Sequence, residues 1–151
     1  MQVHEALRGA PSPPGPPRVL VVDDDPAIRL LCATTLGLDG YEVIEASNGQ
    51  EGLERALTEA PDVVLLDLSM PVLDGFGVVA ALRSDDRTRE LPLVVLTGET
   101  GPHVIQRVYE IGVAGLFTKP FDPGVVAAFV RGVIDEVRVV KGHAPAGGHA
   151  F

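Results

Sequence analysis

Three aspartates, a threonine and a lysine stand at the ends of separate apolar runs, and as a set they could carry phosphoryl chemistry. Asp23 and Asp24 follow Val19-Leu20-Val21-Val22, and Asp67 follows Val63-Val64-Leu65-Leu66. Thr97 follows Leu93-Val94-Val95-Leu96, and Lys119 follows the run 113–118. Each alone has a blander reading, because strands commonly give way to polar loops. Jointly they propose a site. Clustered carboxylates repel one another, which raises their pKa values unless a cation relieves the repulsion. Oxygen-only donors at a surface cleft suit Mg2+, which keeps several waters and takes one or two carboxylates together with a phosphate. Phosphoryl transfer asks mainly for neutralisation of charge on the moving group. Mg2+ and the Lys119 ammonium would supply that charge, and the Thr97 hydroxyl can donate to a phosphoryl oxygen, with Gly98 leaving room beside it. A carboxylate attacking phosphorus gives an acyl phosphate. Asp67 is assigned as that nucleophile: it ends the most apolar run and has no acidic neighbour before Asp74, whereas adjacent Asp23 and Asp24 make the better metal anchor.

These residues can meet only if the chain folds so that the run ends converge. The wholly apolar four-residue runs suggest strands covered on both faces, as in a parallel sheet. Tyr41-Glu42-Val43-Ile44-Glu45 is mixed and suits an edge strand, and 113–118 makes a fifth. Helical spacing fills the gaps. Ile28, Leu31, Cys32, Thr35 and Leu36 follow Pro26 at a helix start. Val104, Val108 and Ile111 propose a helix before the fifth strand, and 49–59 and 75–83 complete the set. The last helix has one apolar stripe, Val126, Phe129, Val130, Val133, Ile134 and Val137, with Asp122 as N-cap and Pro123 at the first turn. Five repeats of strand then helix predict an α/β fold, a five-stranded parallel doubly wound sheet with right-handed crossovers. The flavodoxin-like (βα)5 order 2-1-3-4-5 puts the mixed second strand at an edge, and ligands then bind at the carboxyl ends of the strands.

The chain has 151 residues, enough for one domain, with a formal net charge of -9. That field repels phosphate backbones, so direct nucleic-acid binding is not expected. The single cysteine, Cys32, excludes an internal disulfide and reads as a buried small hydrophobe. No membrane-spanning run and no secretory plan is legible, which points to a cytoplasmic protein. Residues 1–17 form a Pro-rich stretch expected to be a solvated tail, and 141–151 a Gly/Ala-rich one. His143 and His149 in the latter carry only a weak metal signal, since no cysteine or carboxylate accompanies them. The domain is expected to cover 18–140. With no output-domain pattern after it, the expected partners are proteins, a homodimer among them.

The motifs also match a family. Leu65-Leu66-Asp67-Leu68-Ser69-Met70-Pro71-Val72-Leu73-Asp74-Gly75 resembles the phosphoacceptor segment of bacterial two-component response regulator receiver domains, of the single-domain chemotaxis type. Val21-Val22-Asp23-Asp24-Asp25 resembles their acidic pair, Val95-Leu96-Thr97-Gly98 their hydroxyl-bearing strand, and Thr118-Lys119-Pro120-Phe121 their lysine turn. Four such motifs in order are highly specific. The resemblance implies Mg2+ held by Asp24, Asp67 and the Ser69 backbone carbonyl, with Asp23 joining directly or through water. It implies a phosphohistidine donor on a sensor histidine kinase or phosphotransfer protein, and a cis peptide before Pro120. It also implies a downstream protein partner on the face formed by helix four, strand five and helix five. One departure stands out. Receivers often carry an aromatic residue three positions before the lysine, which turns inward as the threonine moves; here that switch position is Leu116. By strand alternation Phe117 faces the other way.

Two other readings compete. A haloacid dehalogenase-type phosphatase would use Asp23 and Asp25 with D-x-D spacing, but leaves Asp67 and the segment 70–75 unexplained. A phosphate-independent receiver-like scaffold should lack part of the site, and all five residues are present.

Overall fold

The computed structural model describes residues 15–70, 72–98 and 101–140. The expectations for 1–14 and 141–151, His143 and His149 included, lie outside these residues. The apolar runs form strands β1 (Arg18–Val22), β3 (Val63–Asp67) and β4 (Leu93–Thr97), with β2 (Glu42–Ala46) and β5 (Gly115–Thr118) outside them. All pairings are parallel, and the order is β2-β1-β3-β4-β5. This is the flavodoxin-like order expected from the sequence. The five intervening and terminal helices are α1 (Pro26–Leu38), α2 (Gly49–Glu59), α3 (Gly75–Ser84), α4 (Pro102–Ile111) and α5 (Pro123–Val140).

Burial explains why the central strands are apolar without alternation. One sheet face sends Val19, Val21, Val63, Leu65, Val94 and Leu96 against Cys32 and Leu36 of α1 and Val126, Val130 and Ile134 of α5. The other face sends Leu20, Val22, Val64 and Leu66 against Ala56 of α2 and Val78, Val79 and Leu82 of α3. Val95 joins Val104 and Val108 of α4. A strand sandwiched in this way has no solvent-facing side to make polar.

Local chemistry sets the helix starts. Asp25 caps α1 by accepting from the Ala27 N–H at 2.9 Å. Asn48 and Asp74 cap α2 and α3 in the same manner, at 2.8 and 2.9 Å. Asp122 caps α5, accepting from the Gly124 N–H at 2.8 Å, as the sequence predicts. Leu31 departs from its apparent place in the α1 stripe, because it is exposed. The stripe read from spacing is wider than the strip of α1 that the sheet covers. β5 is shorter than 113–118: the chain enters the sheet with the Ala114 N–H donating to the Leu93 carbonyl at 2.8 Å. The strand opens at Gly115, and the Phe129 ring lies where a side chain there would be: a Cβ would stand 2.5 Å from the ring. Phe117 meets that ring edge-on at a centroid distance of 5.4 Å.

The base of the sheet, at the amino ends of the strands, is tied by polar contacts. The Arg18 N–H donates to the Asp62 carboxylate at 2.8 Å, and its guanidinium donates to Glu42 and to the Glu59 carbonyl. Arg138 of α5 donates to the Gly15 carbonyl at 3.0 Å and lies 3.8 Å from Asp62. The Pro17 carbonyl accepts from Glu42.

Candidate functional site

The registers of the sheet bring the chemistry-bearing residues to one rim. Val22 pairs with Leu66, Asp67 with Leu96, and Thr97 with Thr118, so Asp23, Asp67, Thr97 and Lys119 all fall at the carboxyl ends of neighbouring strands. Asp23 and Thr97 are fully buried and Asp67 is 4% exposed, whereas Asp24 is open to solvent. One carboxylate oxygen from each of Asp23, Asp24 and Asp67 lies within 4.8 Å of the others. The Lys119 ammonium reaches between two of them, 2.8 Å from Asp23 and 3.5 Å from Asp67.

Local backbone holds each carboxylate. Asp23 Oδ1 accepts from the Asp25 N–H at 2.9 Å, and Asp67 Oδ1 from the Ser69 N–H at 3.2 Å. The Lys119 N–H donates to the Thr97 carbonyl at 2.8 Å, which ties the lysine turn to the end of β4. The peptide between Lys119 and Pro120 is cis.

The electrostatics follow from burial. Desolvation pushes the Asp67 carboxyl up; the Ser69 hydrogen bond opposes this, and the neighbouring Asp23 charge adds to it. Burial works against the Lys119 ammonium, but its hydrogen bond and charge pairing with Asp23, followed by those with Asp67, outweigh that and raise its pKa. Lys119 is thus a fixed cation at neutral pH. Burial, with the Asp23 charge adding, raises the Cys32 thiol to about 11, so it stays protonated and inert.

The donor set fits Mg2+. Octahedral coordination at about 2.1 Å places ligand oxygens roughly 3 Å apart in cis and about 4.2 Å apart in trans. Three carboxylate oxygens within 4.8 Å of one another are gathered at one point of the rim, where a cation could draw them into one coordination sphere. Hard oxygen ligands on a part-exposed rim leave room for the waters this ion retains.

Leu116 pairs with Val95 and packs beside Val104, Val108 and Leu68, on the opposite side of β5 from Phe117. The alternation expected from the sequence is therefore present. Next to the rim, the loop after β3 and helix α4 enclose a cleft of about 580 Å³, lined by Ser69, Asp74, Phe76, His103 and Arg107 among others. The Arg107 guanidinium lies 3.8 Å from the centre of the Phe76 ring. Neither that cleft nor Arg29, whose guanidinium donates to the Asp23 carbonyl at 2.7 Å, was visible in the sequence. Arg29 follows Asp23 by six positions, within the first turn of α1, a spacing that carries no motif of its own.

A family model for the response regulator receiver domain matches residues 19–131. The chain belongs to the response regulator receiver family. It is 38% identical over 118 residues to the DNA-binding dual master transcriptional regulator RpaA of Synechocystis, covering 78% of this chain and 49% of RpaA. It is 39% identical over 127 residues to the response regulator PleD of Caulobacter vibrioides, covering 80% of this chain and 28% of PleD. The chemotaxis protein CheY4 of Vibrio cholerae superposes with a TM-score of 0.73 at 36% identity, over 79% of this chain and 99% of that one. The receiver therefore spans about half the length of RpaA, less of PleD, and nearly all of CheY4. Receivers are signalling domains of two-component systems rather than classical enzymes, and phosphorylation with Mg2+ is typical of them. No helix among the described residues is long and apolar enough to cross a membrane.

Proposed function

We propose that this receiver accepts a phosphoryl group on Asp67 from a phosphohistidine of a sensor kinase or phosphotransfer protein. The observation that carries the reading is the buried Asp67 carboxylate facing the Lys119 ammonium at 3.5 Å, inside a cluster of three carboxylates. An Asp67 oxygen attacks phosphorus, the P–N bond breaks as the P–O bond forms, and the bonding pair leaves with the donor imidazole. Mg2+, when bound by Asp23, Asp24, Asp67 and the Ser69 carbonyl, supplies the charge that makes this approach of anions tolerable. Lys119, 3.5 Å from Asp67, would supply a second positive charge there, and the Thr97 hydroxyl would donate to a phosphoryl oxygen. Asp23 fixes Lys119 in place at 2.8 Å while Asp67 is unmodified. Water attacking phosphorus later returns the carboxylate and inorganic phosphate.

The acyl phosphate adds about 1.5 to 2 negative charges and three acceptor oxygens beside Thr97 and Lys119. Both end strands that lead into α4 and α5, so the face formed by α4, β5 and α5 is the surface that changes. Tyr109, 78% exposed on α4, stands ready for a protein partner there. A partner that reads the change acts by differential affinity: shifting two states from 1:99 to 99:1 takes roughly 5.5 kcal/mol. The domain 18–140 working through partner proteins, in a cytoplasmic setting, completes the reading.

The test is intact mass after incubation with acetyl phosphate and Mg2+, beside an Asp67→Asn control. One added phosphate that needs Mg2+ and is lost in the control supports the reading. No adduct, with beryllofluoride also failing to bind, overturns it in favour of a phosphate-independent scaffold.

A further inference from the structure

The geometry points to Arg29 as a positioning residue for the metal site: its guanidinium clamps the Asp23 carbonyl and sets the Asp23-Asp24 turn for Mg2+. The inference rests on the Mg2+ reading above and extends it to a residue outside the acidic cluster.

Asp23 belongs to no helix or strand, yet its peptide is pinned from several directions. Its N–H donates to the Ala46 carbonyl of β2 at 3.1 Å, and its carbonyl accepts from Arg29 Nη1 at 2.7 Å. Its carboxylate accepts from the Asp25 N–H. The Asp25 side chain ties this turn to the first residues of α1 through the Ala27 N–H, and Arg29 reaches back from within α1 to the Asp23 carbonyl itself; α1 is packed on the sheet through Cys32 and Leu36. Rotation of the Asp23–Asp24 peptide would swing the Asp24 carboxylate, which is exposed. Fixing the Asp23 carbonyl fixes that peptide plane, since the bond is planar.

Arg29 is in turn held. Its Nε lies 3.5 Å from Glu45 Oε1, and Glu45 is placed opposite Val21 by the β1–β2 register. The guanidinium therefore joins β2 to the metal turn, with Nε and Nη1 engaged on different partners. A planar fork can serve a carbonyl and a carboxylate together, and the single ammonium of lysine cannot reproduce that geometry. The same fork places a permanent positive charge beside three consecutive aspartates, Asp23, Asp24 and Asp25.

Those two properties act on Mg2+ in opposite directions, which makes the inference testable. As a clamp, Arg29 strengthens ion binding by holding its ligands in place. As a cation near the site, it weakens binding by repulsion. Arg29→Lys keeps the charge and removes the fork, so it reports the clamp alone. Removing an outer partner of a metal ligand typically weakens affinity by roughly 10- to 100-fold.

The experiment is calorimetric titration of the full chain with MgCl2, comparing wild type, Arg29→Lys and Arg29→Met, with urea unfolding in EDTA run on the same samples. The expected result is a Mg2+ dissociation constant raised about tenfold in Arg29→Lys, with the urea midpoint close to wild type. In Arg29→Met, relief of repulsion offsets part of the loss, so the weakening is smaller. An unchanged affinity in Arg29→Lys, or a tighter one, overturns the clamp and leaves Arg29 a surface charge. Loss of stability with unchanged affinity also overturns it, as a merely structural role. Failure of the wild type itself to bind Mg2+ sinks the metal reading and this inference with it, and is distinguished by that control.

Discussion

Gly75 lies directly under Asp67: a Cβ added at Gly75 would stand 2.5 Å from the Asp67 carbonyl oxygen and 2.6 Å from the Leu68 Cα. The Gly75 N–H also donates to the Leu68 carbonyl at 3.0 Å. The start of α3 is thus pressed against the backbone that carries the phosphoacceptor. Both opposing atoms are main chain and cannot swing aside. Gly75→Ala should destabilise the domain by about 2–3 kcal/mol despite alanine's better helix propensity. It should also reduce the acetyl phosphate adduct, because Asp67 must shift to make room. Urea midpoint and intact mass check both; an unchanged midpoint would mean the loop relaxes freely.

In the same loop, Val72 has φ of 73°, in the left-handed region, and its side chain is 82% exposed. A β-branched residue there is strained by roughly 1–2 kcal/mol, and the exposed side chain gains little from packing. Val72→Gly relieves the strain, less the about 0.5–1 kcal/mol entropy cost of glycine. The expected net is stabilisation of about 0.5–1 kcal/mol, read as a higher urea midpoint at unchanged slope. A lower midpoint would show that the valine side chain contributes more than its exposure indicates.

The buried carboxylate makes a pH prediction. Burial first, then the Asp23 charge, raises the Asp67 carboxyl above its unfolded value despite the Ser69 hydrogen bond. A carboxyl raised in this way supports folding while protonated. That contribution is fully present below the unfolded pKa, about 3.9, and is lost as pH rises through the folded pKa. At pH 7 without a divalent ion, ionised Asp67 therefore opposes folding. Asp67→Asn in EDTA should raise Tm at pH 7 by roughly 3 °C, with the gain shrinking toward pH 4. Lys119, whose raised pKa leaves it charged throughout, contributes no slope in this window. Adding Mg2+ should stabilise the wild type and barely move the variant, by linkage of binding to folding. A gain that grows on acidification would contradict the burial argument.

Leu116 is half-buried among Val95, Val104, Val108 and Leu68. Leu116→Ala should destabilise by about 1–2 kcal/mol, less than for a fully buried leucine. Its distance in role from the carboxylates predicts an unaltered acetyl phosphate adduct. Amide spectra with beryllofluoride supply the second reading: the shifts at α4 and β5 should change in the variant while those at Asp67 remain.

What the sequence made legible was the placement of polar residues after apolar runs. Asp23, Asp67, Thr97 and Lys119 converge because parallel strands in this order must end at one rim, and that follows from pattern alone. The cap at Asp122 was local enough to read, whereas that at Asp25 was passed over in favour of Pro26 beside it. Through-space relations were not. Nothing in the spacing says that Gly75 touches the Asp67 carbonyl, that Val72 turns left-handed, or that Arg29 reaches back to Asp23. The exposed Leu31 shows the same limit, since helical periodicity fixes a face but not how much of it a neighbour covers. Nor does the spacing say that the Phe129 ring of the following helix fills the space beside Gly115, where β5 begins two residues later than expected.

The ties at the base of the sheet have a mechanical meaning. Arg18, Asp62, Glu42 and Arg138 link β1, β2, the approach to β3, and α5 at the end remote from the carboxylates. A sheet riveted at this margin behaves as a vise with a fixed heel, so a charge added between the opposite ends works against an anchored base. With the heel held, a change at the ends of β4 and β5 would have α4 and α5, the helices those strands lead into, as its nearest outlet.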